Sequence, residues 1–98
     1  MTEKKQYHLY VLLCDHKILY TGIAIDPDVR LQQHRQGAPL GAKFTRRFAD
    51  LKKIYQVAVG DRAQAQSIEI KFKKLNRKTK LKLIQKQAVL EDLLVALG

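Results

Sequence analysis

Five side chains in this sequence are of types that move protons, hold anions or bind cations. Tyr10 and Tyr20 lie in "HLYVLLCDHKILYTG", Arg30 and His34 in "DPDVRLQQHRQG", and Glu69 in "IEIKFKK". A guanidinium offers anionic oxygens a planar pair of donors, and an imidazole titrates near neutrality. A phenol, with an ordinary pKa of about 10, accepts a proton at neutral pH only where positive charge favours the phenolate. Each residue also has a plainer reading. Tyr is favoured in strands, Arg30 and His34 can share a solvated helix face, and Glu69 can pair with Lys73 at the favourable i, i+4 spacing.

The elements that carry these residues decide between the readings. "YHLYVLL" and "ILYTG" read as two strands joined through "CDHK" in a hairpin. If Asp15, His16 and Lys17 form the loop, Cys14 pairs with Ile18, Leu12 with Tyr20 and Tyr10 with Gly22, and both tyrosines share one face. A loop one residue shorter or longer puts them on opposite faces. Asp26 as cap, Pro27 at the first position and Gly37 at the exit predict a helix from Pro27 to about Gln36. That helix offers only Val29 and Leu31 as large apolar residues, so if it packs on a sheet it must turn polar groups inward.

"GAPLGAKFTRRFAD", residues 37–50, has no clear period and predicts a mobile basic loop. "LKKIYQVAV" predicts a third strand with Leu51, Tyr55, Val57 and Val59 on one parity. Asp61 caps a helix whose core stripe is Ala65, Ile68, Phe72 and Leu75. Glu69 stands at the edge of that stripe, where a carboxylate is costly unless it is paired or binds a cation. Asn76 opens a further helix carrying Leu81, Ile84 and Ala88, and "VLEDLLVAL" a final apolar helix or helical turn. The order β-β-α-β-α-α, with hairpins in place of β-α-β alternation, predicts one α+β domain over residues 1–98: a small, mainly antiparallel three-stranded sheet flanked by helices.

With 98 residues and 46% hydrophobic content, one packed domain is expected. Nineteen Lys and Arg against nine Asp and Glu leave a net charge of +10, which attracts polyanions, nucleic acid foremost. The single Cys14 excludes a disulfide or cysteine metal site within one chain and suits a buried thiol in a reducing cytoplasm. The apolar run "LYVLLC" is too short for an export signal or a membrane span. From Lys71 to Lys86 there are eight basic residues and no acidic one. Lys71, Lys73, Lys74, Arg77, Lys78 and Lys80, with Lys43, Arg46 and Arg47 of the loop, are the candidate nucleic-acid contacts, salt-sensitive and weakly sequence-specific.

Taken together, the sequence resembles the GIY-YIG nuclease superfamily in its small bacterial single-domain branch, related to the catalytic module of the excision repair nuclease. "HLY" stands where the family has GIY and "YTG" where it has YIG, while Arg30, His34 and Glu69 match family positions in order. "GAKFTRR" and "EIKFKKLNRKTKLKLI" resemble the small branch as well. His8 and Thr21 depart from the half-motifs at positions that supply no catalytic group. The resemblance implies a metal-dependent DNA endonuclease acting on structure rather than sequence, in repair or processing. Tyr10 and Tyr20 would position and activate water, with His34 assisting and Arg30 binding the phosphoryl oxygens. Glu69 would hold Mg²⁺ or Mn²⁺, the ions that suit one carboxylate and several waters. DNA is the expected partner, with RNA and a targeting protein as further candidates. The rival expectation is a non-catalytic nucleic-acid-binding module of the same fold.

Overall fold

Strand β1, Tyr7–Cys14, runs through the middle of a three-stranded antiparallel sheet, with β2, Ile18–Ala24, on one side and β3, Leu51–Gly60, on the other. The structure is a computed structural model in which residues 5–37 and 43–98 are described. Helix α1, Pro27–Gln36, follows β2; α2, Arg62–Lys74, α3, Arg77–Gln85, and α4, Leu90–Leu97, follow β3. The order is β-β-α-β-α-α-α, the expected α+β architecture with the apolar C-terminal segment a full helix.

A central strand must be apolar on both faces, and β1 is. Leu9 and Val11 point into the larger core, built with Tyr55, Val59, Ala65, Ile68, Phe72, Leu83, Ile84, Ala88 and Leu93. Tyr10, Leu12 and Cys14 point the opposite way, to Leu31 of α1 and Leu51. Burying aliphatic side chains of this size is worth about 1.5–3 kcal/mol each, so β1 fixes the sheet between α1 and the later helices.

The hairpin register is the one a three-residue loop requires: Cys14 opposite Ile18, Leu12 opposite Tyr20, Tyr10 opposite Gly22. Asp15 and His16 take left-handed backbone conformations, φ 49° and 62°, and the Lys17 N–H donates to the Cys14 carbonyl at 3.0 Å. The Asp50 N–H donates to the Asp15 carboxylate at 2.7 Å, tying the hairpin tip to the start of β3.

Strand β3 corrects the parity expectation. A bulge between its pairings with Val11 and Leu12 inserts one residue at Ile54, which turns the strand over. Tyr55 and Val59 therefore join the larger core, while Leu51 packs on the α1 side. In α3 the buried residues are Leu83 and Ile84, with Leu81 half-buried. Ala88 lies beyond that helix, after Gln87 at φ 48°, and its carbonyl accepts the Tyr55 hydroxyl at 2.6 Å.

Residues 38–42 of the expected basic loop lie outside the described residues. Nearer β3, Thr45–Arg47 form a 3₁₀ turn whose Thr45 is fully buried. Asp26 accepts the N–H groups of Asp28 and Val29 at the start of α1, and Gly37 leaves the helix at φ 77°. With only Leu31 as a large buried aliphatic residue, α1 is also held by polar ties: Arg35 donates to the Leu51 carbonyl at 3.0 Å, and Lys53 pairs with Asp28.

Candidate active site

Because Tyr10 faces Gly22 and Tyr20 faces Leu12, the two phenols leave the α1 side of the sheet as diagonal neighbours, ring centroids 6.4 Å apart. Gly22 contributes space: a Cβ there would lie 2.5 Å from the Tyr10 hydroxyl oxygen. The inward face of α1 brings His34 onto both rings, at 6.1 Å from Tyr10 and edge-on at 5.3 Å from Tyr20. The helix with a poor apolar stripe does turn a polar group inward, since His34 is only 2% exposed.

His34 sits in a hydrogen-bonded chain. Its Nε2 meets the Tyr10 hydroxyl at 2.9 Å and its Nδ1 the Thr45 hydroxyl at 2.8 Å. Burial, assisted by Arg30, holds its pKa down at about 4, so the ring is neutral at physiological pH. One of its nitrogens then donates and the other accepts. Thr45 is a site neighbour that sequence reading missed, because a threonine in a segment without periodicity carries no local signal of burial.

Arg30, half-buried, donates from Nη1 to Gln33 Oε1 at 2.9 Å, and its charge acts on Tyr10, Tyr20 and His34. Its effect on the phenols is smaller than expected. Burial pushes Tyr10 well above 10, with the Tyr20 charge adding to the rise and Arg30 only opposing it. Tyr20 is raised too, by burial first and against Arg30. In the protein alone, both tyrosines are protonated.

Glu69 comes from the opposite face. Helix α2 packs against β2, an edge of the sheet, and from it the half-buried Glu69 exerts a charge felt by both phenols. Lys73 Nζ lies 3.4 Å from the Glu69 carboxylate, so the plain i, i+4 pair is present. Among the described residues no group of three or more His, Cys, Asp or Glu could hold a metal ion. The chemistry of one half-buried carboxylate, that of Glu69, suits a water-rich Mg²⁺ or Mn²⁺ better than zinc.

The two faces meet in a groove of about 330 Å³ at the β2 edge, lined by Leu19, Tyr20, Thr21, Phe44, Lys73 and Lys80. Lys43, Arg46 and Arg47 are exposed around the 3₁₀ turn; Lys71, Lys73 and Lys74 are exposed at the end of α2, as are Arg77 and Lys78 at the start of α3. The first turn of α3 has no acidic residue. Cations there add to the positive end of the helix dipole at a cost to helix stability, an arrangement that favours an anionic partner.

An antiparallel hairpin with paired tyrosines, backed by a helix bearing Arg30 and His34 and approached by Glu69, defines a GIY-YIG type of catalytic domain. The sequence pattern of the "GIY-YIG catalytic domain" matches residues 6–82, and the chain belongs to that family. It is 38% identical over 85 residues to a UPF0213 protein of Pectobacterium carotovorum, covering 87% of this chain and 84% of that protein. To the UPF0213 protein YhbQ of Salmonella arizonae it is 36% identical over 91 residues, 93% of this chain and 89% of the other. The solution NMR structure of protein EF2693 from E. faecalis superposes with a TM-score of 0.58 at 36% identity, covering 88% of this chain and 90% of that one. No helix among the described residues is long and apolar enough to cross a membrane.

Proposed function

We propose that this chain is a divalent-metal-dependent endonuclease that hydrolyses DNA phosphodiester bonds, selecting structure rather than sequence, in DNA repair or processing. The observation that carries the reading is the convergence of Tyr10, Tyr20, Arg30 and His34 on one side of β2 with Glu69, Lys73 and Lys80 on the other. Bound through Glu69, Mg²⁺ or Mn²⁺ would supply positive charge to the phosphoryl oxygens and the departing alkoxide. Arg30 offers planar donors to the same charge as it develops. Tyr20 lines the groove, so it is assigned to the attacking water. Tyr10, 1% exposed and bonded to His34, holds the site from inside. In the tautomer with Nε2 as acceptor, His34 takes a hydrogen bond from the Tyr10 hydroxyl and fixes that ring beside Tyr20.

The Glu69–Lys73 pair favours one alternative, a nucleic-acid-binding module in which the carboxylate is structural. The separating experiment uses labelled duplex, single-stranded, flap and branched DNA with Mg²⁺ or Mn²⁺. Cleavage by the wild type that is lost in Glu69→Ala and Arg30→Ala, with binding kept, supports the nuclease. Salt-sensitive binding without cleavage, or cutting that persists in both variants, would sink it. Much tighter binding of structured RNA than of DNA at matched salt would move the substrate to RNA.

A further inference from the structure

Phe44 is 40% exposed on the wall of the groove that Tyr20 lines. Its ring stacks on Tyr20 at 5.8 Å between centroids and 22° between planes, and Phe48 closes on it at 5.4 Å. The Arg47 guanidinium carbon lies 4.6 Å from the Phe44 centroid and 5.1 Å from that of Phe48. An aromatic layer thus runs outward from the buried Tyr10 and His34 pair, through Tyr20 and Phe44, and ends in an exposed cation. Lys73 and Lys80 line the same groove, Lys73 from α2 and Lys80 from α3.

That combination is more than phosphate binding requires. A paired duplex keeps its base faces covered and shows a protein wall only phosphates and groove edges, for which cations suffice. Phe44 has Tyr20 stacked against it and the Arg47 guanidinium over its ring, so the outermost plane of the layer is the exposed guanidinium. A planar cation backed by an aromatic ring is a surface that an unstacked base can lie against. The groove, about 330 Å³, has room for one nucleotide beside the two lysines. We infer that Phe44 and Arg47 form a stacking platform for one unpaired nucleobase next to Tyr20, so that the preferred substrate carries a single strand beside the bond to be cut. The inference rests on the nuclease reading for its meaning, but not for its test.

The test is fluorescence anisotropy in EDTA at fixed salt, where nothing is cut. The full chain is titrated with a labelled flap DNA, with its fully paired counterpart, and with flaps carrying one abasic nucleotide moved along the single-stranded arm. The wild type should bind the flap at least about fivefold more tightly than the duplex, the size expected from stacking one base. An abasic nucleotide should remove that preference at one position of the arm. Phe44→Leu should lose the preference and its sensitivity to the abasic position while binding duplex within about twofold of wild type, and Phe44→Tyr should keep both. Equal binding of flap and duplex by the wild type, or indifference to the abasic position throughout the arm, overturns the platform without any variant having to fold. An equal loss by Phe44→Leu on both DNAs also overturns it. A chain that shows the preference but never cleaves with metal would refute the nuclease reading and leave the platform standing.

Discussion

Tyr10 and Gly22 face each other across the hairpin, and the Tyr10 ring occupies the space where any side chain on residue 22 would stand. The glycine of "YTG" is therefore a steric requirement of the tyrosine in "HLY". Gly22→Ala places a methyl 2.5 Å from the Tyr10 oxygen and 2.6 Å from Cζ, against a ring that is buried. We expect a loss of about 1–3 kcal/mol, together with a fall in cleavage as Tyr10 leaves His34. Urea unfolding and a cleavage assay on one preparation check this; unchanged stability and full activity would contradict it.

Thr45 fixes one end of the buried chain at His34. Thr45→Val keeps the shape and removes the hydroxyl, leaving the His34 Nδ1 short of this partner at a cost of about 1–3 kcal/mol. Thr45→Ser should restore most of that loss. The distinguishing readout is the ¹⁵N chemical shift of the His34 ring: a tautomer population that changes in Thr45→Val and returns in Thr45→Ser assigns Thr45 to orienting the imidazole. A shift that does not move would confine Thr45 to packing.

His34 also predicts a pH dependence of stability. Its folded pKa is lowered to about 4 from 6.5. As pH falls through the ordinary value the unfolded chain takes up a proton that the folded chain refuses until about 4, so the fold is destabilised within that window and unaffected above it. The loss approaches about 3 kcal/mol at the acid end. His34→Gln cannot titrate, so the stability difference between wild type and variant should shrink from pH 7 to pH 4.5. A constant difference across that range would refute the assignment.

The basic surface predicts a salt effect that localises the DNA. Each phosphate neutralised contributes about 0.9 to the slope of log K against log salt on duplex. Replacing Arg77 and Lys78 together by Ala should reduce that slope by up to about 2, and weaken binding alike on unrelated sequences. An unchanged slope would remove the start of α3 from the DNA path.

Tyr10 is expected to stay protonated well past the pH at which a free phenol ionises, since burial outweighs Arg30, and Tyr20 is raised in the same direction for the same first cause. Difference titration at 295 nm of wild type against Tyr10→Phe should show no missing phenolate absorbance up to pH 10.5. Absorbance missing below that pH would place the charge on Tyr10 and make it a base already ionised before substrate binds.

What the sequence determined by itself was mostly local or arithmetic. The sequence restricts the two tyrosines to one face for a three-residue loop and to opposite faces for a loop one residue shorter or longer, and the structure adopts the three-residue register. Asp26, Asp61 and Asn76 announce helix starts because their carboxylate or amide oxygens satisfy backbone N–H groups within three residues. The scarcity of apolar residues in α1 left open a solvated helix or one that turns a polar group inward, and packing on the sheet buries His34. The tertiary structure decided what depends on distant partners. The bulge at β3 moves Leu51 to the other face because strand pairing, not the alternation of residues, sets which side a side chain takes. Thr45 and Phe44 lie in a turn without periodicity, and only packing against His34 and Tyr20 gives them roles. The protonation of the phenols was settled by burial, a property of the assembled sheet and helix that no spacing along the chain encodes.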